Sequence, residues 1–174
     1  MSDPFQREDQ QLDELGPRFL EALARKDAGD LDGAEDELRA ILKVEPRLAE
    51  PHLELARVLL DTDRLSEAEA HAREGLQHLE SGGQWTDEVP ENVLLALGHA
   101  LLAEVLRRRA DEDDVIFGDP DEFRGLVEES RVHFARAAEL DPSDEYASYH
   151  AFFLGPAGHG GQATSDDDSD DDVN

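Results

Sequence analysis

One stretch of this chain repeats itself at a fixed distance. Gly29 to Pro46 reads GDLDGAEDELRAILKVEP, and Asp63 to Glu80 reads DRLSEAEAHAREGLQHLE. Leu31 matches Leu65, Ala34 matches Ala68, Leu38 matches Ala72, Ile41 matches Gly75 and Leu42 matches Leu76, each pair 34 residues apart. The second half returns at Val127 to Pro142, VEESRVHFARAAELDP, preceded by the apolar ENVLLALGHALLAEVLRRR of Glu91 to Arg109. Apolar residues within each copy follow a helical period, so one period holds two helices. Antiparallel helices approach closely only where a side chain is small, with larger neighbours filling the grooves beside it. A single hairpin cannot bury its apolar face alone, so such a period demands stacked hairpins sharing one core.

The spacing and the marks together resemble the tetratricopeptide repeat family. Its small residue in the first helix stands as Ala22, Ala56 and Gly98, and that of the second helix as Ala34, Ala68 and Ser130. The large residue four positions later is Leu38 and Phe134, with Ala72 smaller. The closing proline is Pro46 and Pro142, whereas Glu80 departs from it, and the Leu-Gly pair is Leu97-Gly98. The resemblance spans Leu15 to Asp144. It implies an all-α fold, a right-handed α-solenoid of about three helical hairpins with a C-terminal capping helix. The division is then a polar N-terminal extension over 1–14, a repeat domain over 15–154 and an acidic tail over 155–174. Within the domain the repeats take about 15–48, 49–82 and 91–144, with an insertion near 110–123 and a cap helix at 144–154.

Local signals place the boundaries. Gly29 and Asp63 hold the matching hairpin turns, where a left-handed backbone suits Gly and is tolerated by Asp. Asp119-Pro120-Asp121-Glu122 reads as a capped helix start. Tyr146, Tyr149 and Phe153 are spaced to cover the open end of the stack. Phe5 to Leu15 reads as a separate polar helix broken at Gly16-Pro17. Gly155 to Asn174, with six aspartates in eight residues, is expected to be disordered. Trp85, in the Gly-rich connection ESGGQWTDEVP, is expected over the joint of the second and third repeats.

Charge removes several classes of function. The chain has 174 residues, with 44 acidic against 16 basic and a net charge of −28. Taking away the six tail aspartates still leaves −22, so the acidity belongs to the folded part. That field repels polyanions and anionic lipid, which argues against nucleic acid and membrane as partners. Two lysines against 14 arginines fit either a high-salt cytosol or a GC-rich genome. No cysteine is present, which excludes disulfides, thiolate metal sites and cysteine nucleophiles. No basic-then-apolar leader follows Met1, and the most apolar run, Val93 to Leu106, is too short and polar to span a bilayer. A cytoplasmic location is the expectation.

The search for chemistry finds no catalytic motif, and no enzyme, cofactor or metal is expected. The seven histidines are scattered along the chain, and His71 and His78 are seven apart rather than at ligand spacing. The aspartates of 111–121 lack glycine at the sixth position of a calcium loop. What remains is a surface. The family's first helices line a concave groove that holds a peptide or helix. On this chain the resemblance maps that face to Phe19, Leu23 and Lys26, then Leu53, Arg57 and Leu60, then Leu95, His99 and Leu102. The set is apolar for a solvent face, with Arg57 and Lys26 suited to a carboxylate. Phe19 and Leu23 occupy slots where chaperone-tail binders carry Lys and Asn. A second surface is Val115-Ile116-Phe117, which either covers a core gap or anchors a partner. The expected function is non-catalytic protein binding as an adaptor, scaffold or co-chaperone, through a partner segment with apolar anchors. A small acidic chaperone for a secreted client and a structural subunit of a larger complex stay open. So do a homo-oligomer and a groove filled by the chain itself.

Overall fold

The computed structural model describes the backbone of residues 4–153 and the side chains of 13–152. Among these, eight α-helices and no strand are found. They are α1 (Pro4–Asp27), α2 (Leu31–Val44), α3 (Ala49–Asp61), α4 (Leu65–Glu80), α5 (Glu91–Ala110), α6 (Asp113–Ile116), α7 (Pro120–Leu140) and α8 (Glu145–Phe153). α1 packs on α2, α3 on α4 and α5 on α7, giving three hairpins, and each hairpin leans on the next to form an all-α solenoid. The expected C-terminal tail, 155–174, and the side chain of Phe153 lie outside the described residues.

The repeat positions occupy the tightest places. Ala22, Ala34, Ala56 and Ala68 are fully buried, and Leu38, Leu55, Leu59 and Leu79 fill the grooves around them. In the third hairpin the small residue is Ser130, also fully buried, and its hydroxyl donates to the Ala103 carbonyl at 2.8 Å. That bond satisfies the hydroxyl where helix backbones come close. The hairpin turns are built as their residues dictate: Gly29 has φ +84° and Asp63 has φ +61°. α2 opens on the Asp30 carboxylate accepting from the Gly33 amide at 3.0 Å, and α7 on the Asp119 carboxylate accepting from Asp121 at 2.9 Å.

Four expectations need correction. First, α1 does not break at Gly16-Pro17. Proline in a helix interior costs about 3 kcal/mol. Continuity compensates by seating Leu15 against Ile41 and Leu48 while Ala22 packs in the core two turns further on. Second, the long insertion near 110–123 is mostly helix. α5 has 20 residues and α7 has 21, against 13 and 16 in the second hairpin, leaving 111–119 with the one-turn α6 between them. Third, α8 is not seated by a row of aromatics. Ala147 is fully buried against Ala103, Phe134 and Ala137, while Tyr146 and Tyr149 are about half exposed. Tyr146 instead lies edge-on to Phe134 and donates to Glu104 at 2.7 Å. Fourth, Trp85 does not sit over the joint of the second and third hairpins. It reaches back to Phe19 of α1, ring centroids 5.4 Å apart, and to the Leu15–Ile41–Leu48 cluster.

Candidate functional site

α1, α3 and α5 are the first helices of the three hairpins, and they stand side by side around a cavity of about 570 Å³. α1 contributes Phe19, Leu20 and Leu23, α3 contributes Leu53 and Arg57, and α5 contributes Leu94, Leu97 and Leu101. The connection after α4 closes one side with Trp85 and Val89. Its position is fixed by Glu50, a buried carboxylate at the start of α3. That carboxylate accepts from the amides of Trp85 and Thr86, all at 3.0 Å. Two amide donors, that of Trp85 shared between both oxygens, replace the water that a buried carboxylate loses.

The walls are apolar and not covered. Leu20 is 64% exposed and Leu97 is 45% exposed, although both face the cavity. No described helix or loop fills it. Arg57 stands on the wall, and its Nε is shielded from solvent with no hydrogen-bond partner among the described residues. Lys26 is not free to join it, because its ammonium is paired with Glu54 at 2.5 Å. Glu54 also lines the cavity, so this pair leaves Arg57 as the unspent donor there.

Of the nine groove residues expected from the sequence, Phe19, Leu23, Leu53 and Arg57 line this cavity. Lys26 lies beside it in its ion pair. Leu60 is 8% exposed and belongs to the core between hairpins. The third-helix set is out of phase: Leu102 is buried, Leu95 packs on the core and His99 faces α7, while Leu94, Leu97 and Leu101 take the cavity. α5 is apolar on every side because α4 and α7 both pack on it, so it carries no polar stripe to set its phase. Anchoring the register on Gly98 therefore left the face undetermined. The tripeptide at 115–117 divides: Val115 is buried on the stack, whereas Ile116 is 49% and Phe117 84% exposed.

The histidines are not scattered in space. His52 Nδ1 and His71 Nδ1 lie 3.0 Å apart, and the His78 ring stands 5.5 Å from His52. His99 Nδ1 and His133 Nδ1 lie 2.8 Å apart with their rings stacked. The signal missed was tertiary: each pair joins the two helices of one hairpin, at separations of 19 and 34 residues that no local spacing rule inspects. Burial, more than any charge, pushes all four below the ordinary histidine value, and His99 reaches about 4 with His133 and Arg136 adding to the effect.

Among the described residues no helix is long and apolar enough to cross a membrane. The tetratricopeptide-repeat family model matches residues 26–80, from the end of α1 through α4. No curated protein matches the chain. Among solved structures, the crystal structure of YrrB, described as a tetratricopeptide-repeat protein with an unusual peptide-binding site, is similar at 16% identity. It covers 87% of this chain and 82% of its own, with a TM-score of 0.38. The 34-residue period, the buried alanines at its small positions and the family-model match over 26–80 identify a tetratricopeptide repeat in the stretch from the end of α1 through α4.

Proposed function

We propose that the chain binds a segment of another protein in the cavity walled by α1, α3 and α5, as a non-catalytic adaptor or scaffold. One observation carries this reading: an open apolar surface around a shielded, unpaired arginine nitrogen. Exposed leucines rimmed by charge mark interaction sites. A buried donor without an acceptor carries a desolvation penalty that a ligand oxygen relieves. The partner therefore brings two or more apolar side chains for Leu20, Leu23, Leu97 and Leu101, and a carbonyl or carboxylate for Arg57. Charge-assisted hydrogen bonds favour the carboxylate.

The test is selection from a displayed random-peptide library, followed by titration of the selected peptides by fluorescence anisotropy. Peptides with paired apolar anchors are expected. Leu97→Asp and Leu20→Asp should each weaken them by at least about tenfold, since a charge in an apolar contact costs more than about 1.4 kcal/mol. Both positions are exposed, so folding should be unaffected. Selected peptides that bind Leu97→Asp as tightly as wild type would move the interface elsewhere, with Ile116 and Phe117 the next surface.

A further inference from the structure

His52, His71 and Glu74 form a group on the second hairpin that none of the above uses. His52 lies in the first turns of α3, and His71 and Glu74 are one turn apart on α4. None of the three lines the cavity. His52 Nδ1 is 3.0 Å from His71 Nδ1 and 3.4 Å from Glu74 Oε2, and the His71 Nδ1 to Glu74 Oε2 distance is 3.9 Å. The circle through three atoms so spaced has a radius of about 2.0 Å, which matches zinc–nitrogen and zinc–oxygen bond lengths. A single ion can therefore sit at bonding distance from all three without the helices moving.

The tautomer agrees. His52 Nε2 is 2.8 Å from the Pro46 carbonyl, which is an acceptor only, so Nε2 carries the proton. The Nδ1 of His52 is then a lone pair, aimed at His71 and Glu74. A ligating histidine is commonly fixed in this way, its other ring nitrogen donating to a backbone carbonyl. The fit comes from burial on one side and access on the other: the His52 side chain is 5% exposed, His71 20% and Glu74 57%. The open side leaves a coordination position for water. Two imidazoles and one carboxylate select borderline divalent ions over calcium or magnesium. The net charge of −28 concentrates cations near the surface.

We propose that His52 Nδ1, His71 Nδ1 and Glu74 Oε2 bind one divalent transition-metal ion of the zinc class, pinning α3 to α4 beside an open coordination position. Ion-free, the same two nitrogens share the one proton left on His71. Binding requires that proton to move from Nδ1 to Nε2 of His71, which stays a neutral imidazole and puts both Nδ1 lone pairs on the metal.

The test uses the full chain with zinc sulfate by calorimetry and with cobalt(II) by visible absorption. One zinc per chain is expected, with a rise in Tm and the strong absorption of tetrahedral cobalt. Glu74→Gln, at an exposed position, and His71→Gln should each lower the affinity by about tenfold or more and remove the cobalt band. His150→Gln should leave both intact. Zinc that binds equally well to Glu74→Gln and His71→Gln would belong to other groups, such as the aspartates of 166–172, and would overturn the assignment. So would octahedral cobalt or the absence of binding. Peptide binding in the cavity is measured independently, so failure of one site leaves the other standing.

Discussion

At the scale of single residues, burial decides which polar groups do something unusual. His99 is buried against His133 and kept neutral down to about pH 4, through burial first and then through His133 and Arg136. Glu129 stands 3.9 Å from the far nitrogen of His133, and Arg73 and Glu80 also face that ring. In the unfolded chain a histidine titrates near about 6.5. The unfolded state thus binds more protons between about 6.5 and 4, so stability is full above that window and falls as the pH drops through it. Thermal melts from pH 7.5 to 4.5 should show Tm falling. The double variant His99→Gln, His133→Gln should show a shallower fall. Equal slopes in the two proteins would mean the pair is not the group titrating.

Between elements, the same small residues that mark the repeat set how closely helices approach. Ala68 is fully buried where α3 meets α4. Ala68→Leu should destabilise by about 1–3 kcal/mol through overpacking, seen as a lower midpoint in urea. Leu97→Asp, which projects into the open cavity, should leave that midpoint within about 0.5 kcal/mol. If the two variants unfold alike, the cavity is filled by the protein's own chain. At the other end of the stack, Phe134 is fully buried beneath α8 between Ala103 and Ala147. Phe134→Ala should cost about 3–5 kcal/mol. Tyr146→Phe, which loses only the bond to Glu104, should cost about 1 kcal/mol. Denaturation curves of the pair would separate the packing of the cap from its hydrogen bond.

For the molecule as a whole, arginines stitch successive hairpins together on the outer helices. Arg39 of α2 bridges Glu35 and Glu67, and Arg64 bridges the same two carboxylates. Arg73 of α4 bridges Glu69 and Glu129 of α7, and Arg109 of α5 also pairs with Glu69. Planar guanidinium reaches two carboxylates where ammonium would hold one, which gives the arginine excess a structural use. These pairs are half-buried, with Glu35 and Glu69 about 15% exposed and Arg39, Arg64 and Arg73 about 40%, and each contributes modestly. The carboxylates they leave over dominate the field. Salt shortens the Debye length from about 10 Å at 0.1 M to about 3 Å at 1 M. Screening therefore relieves more repulsion than attraction, and Tm should climb with KCl across that range. A steady fall in Tm would mean that the bridges outweigh the net charge.

The sequence by itself determined the hairpin architecture. Its period of 34, its alanines and its turn residues are local facts, and helix propensity, small-residue contact and the left-handed turns at Gly29 and Asp63 act locally too. The resemblance to the repeat family also placed Phe19, Leu23, Leu53 and Arg57 on the side of α1 and α3 that lines the cavity. On α5 that information is absent, since a helix covered on both sides is apolar all round, and only packing against α4 and α7 chose Leu94, Leu97 and Leu101 for the cavity. Trp85 was likewise placed by a partner distant in sequence, the Glu50 carboxylate that needed amide donors. The histidine pairs were decided in the same way, because two side chains 19 or 34 residues apart become neighbours only when a hairpin closes.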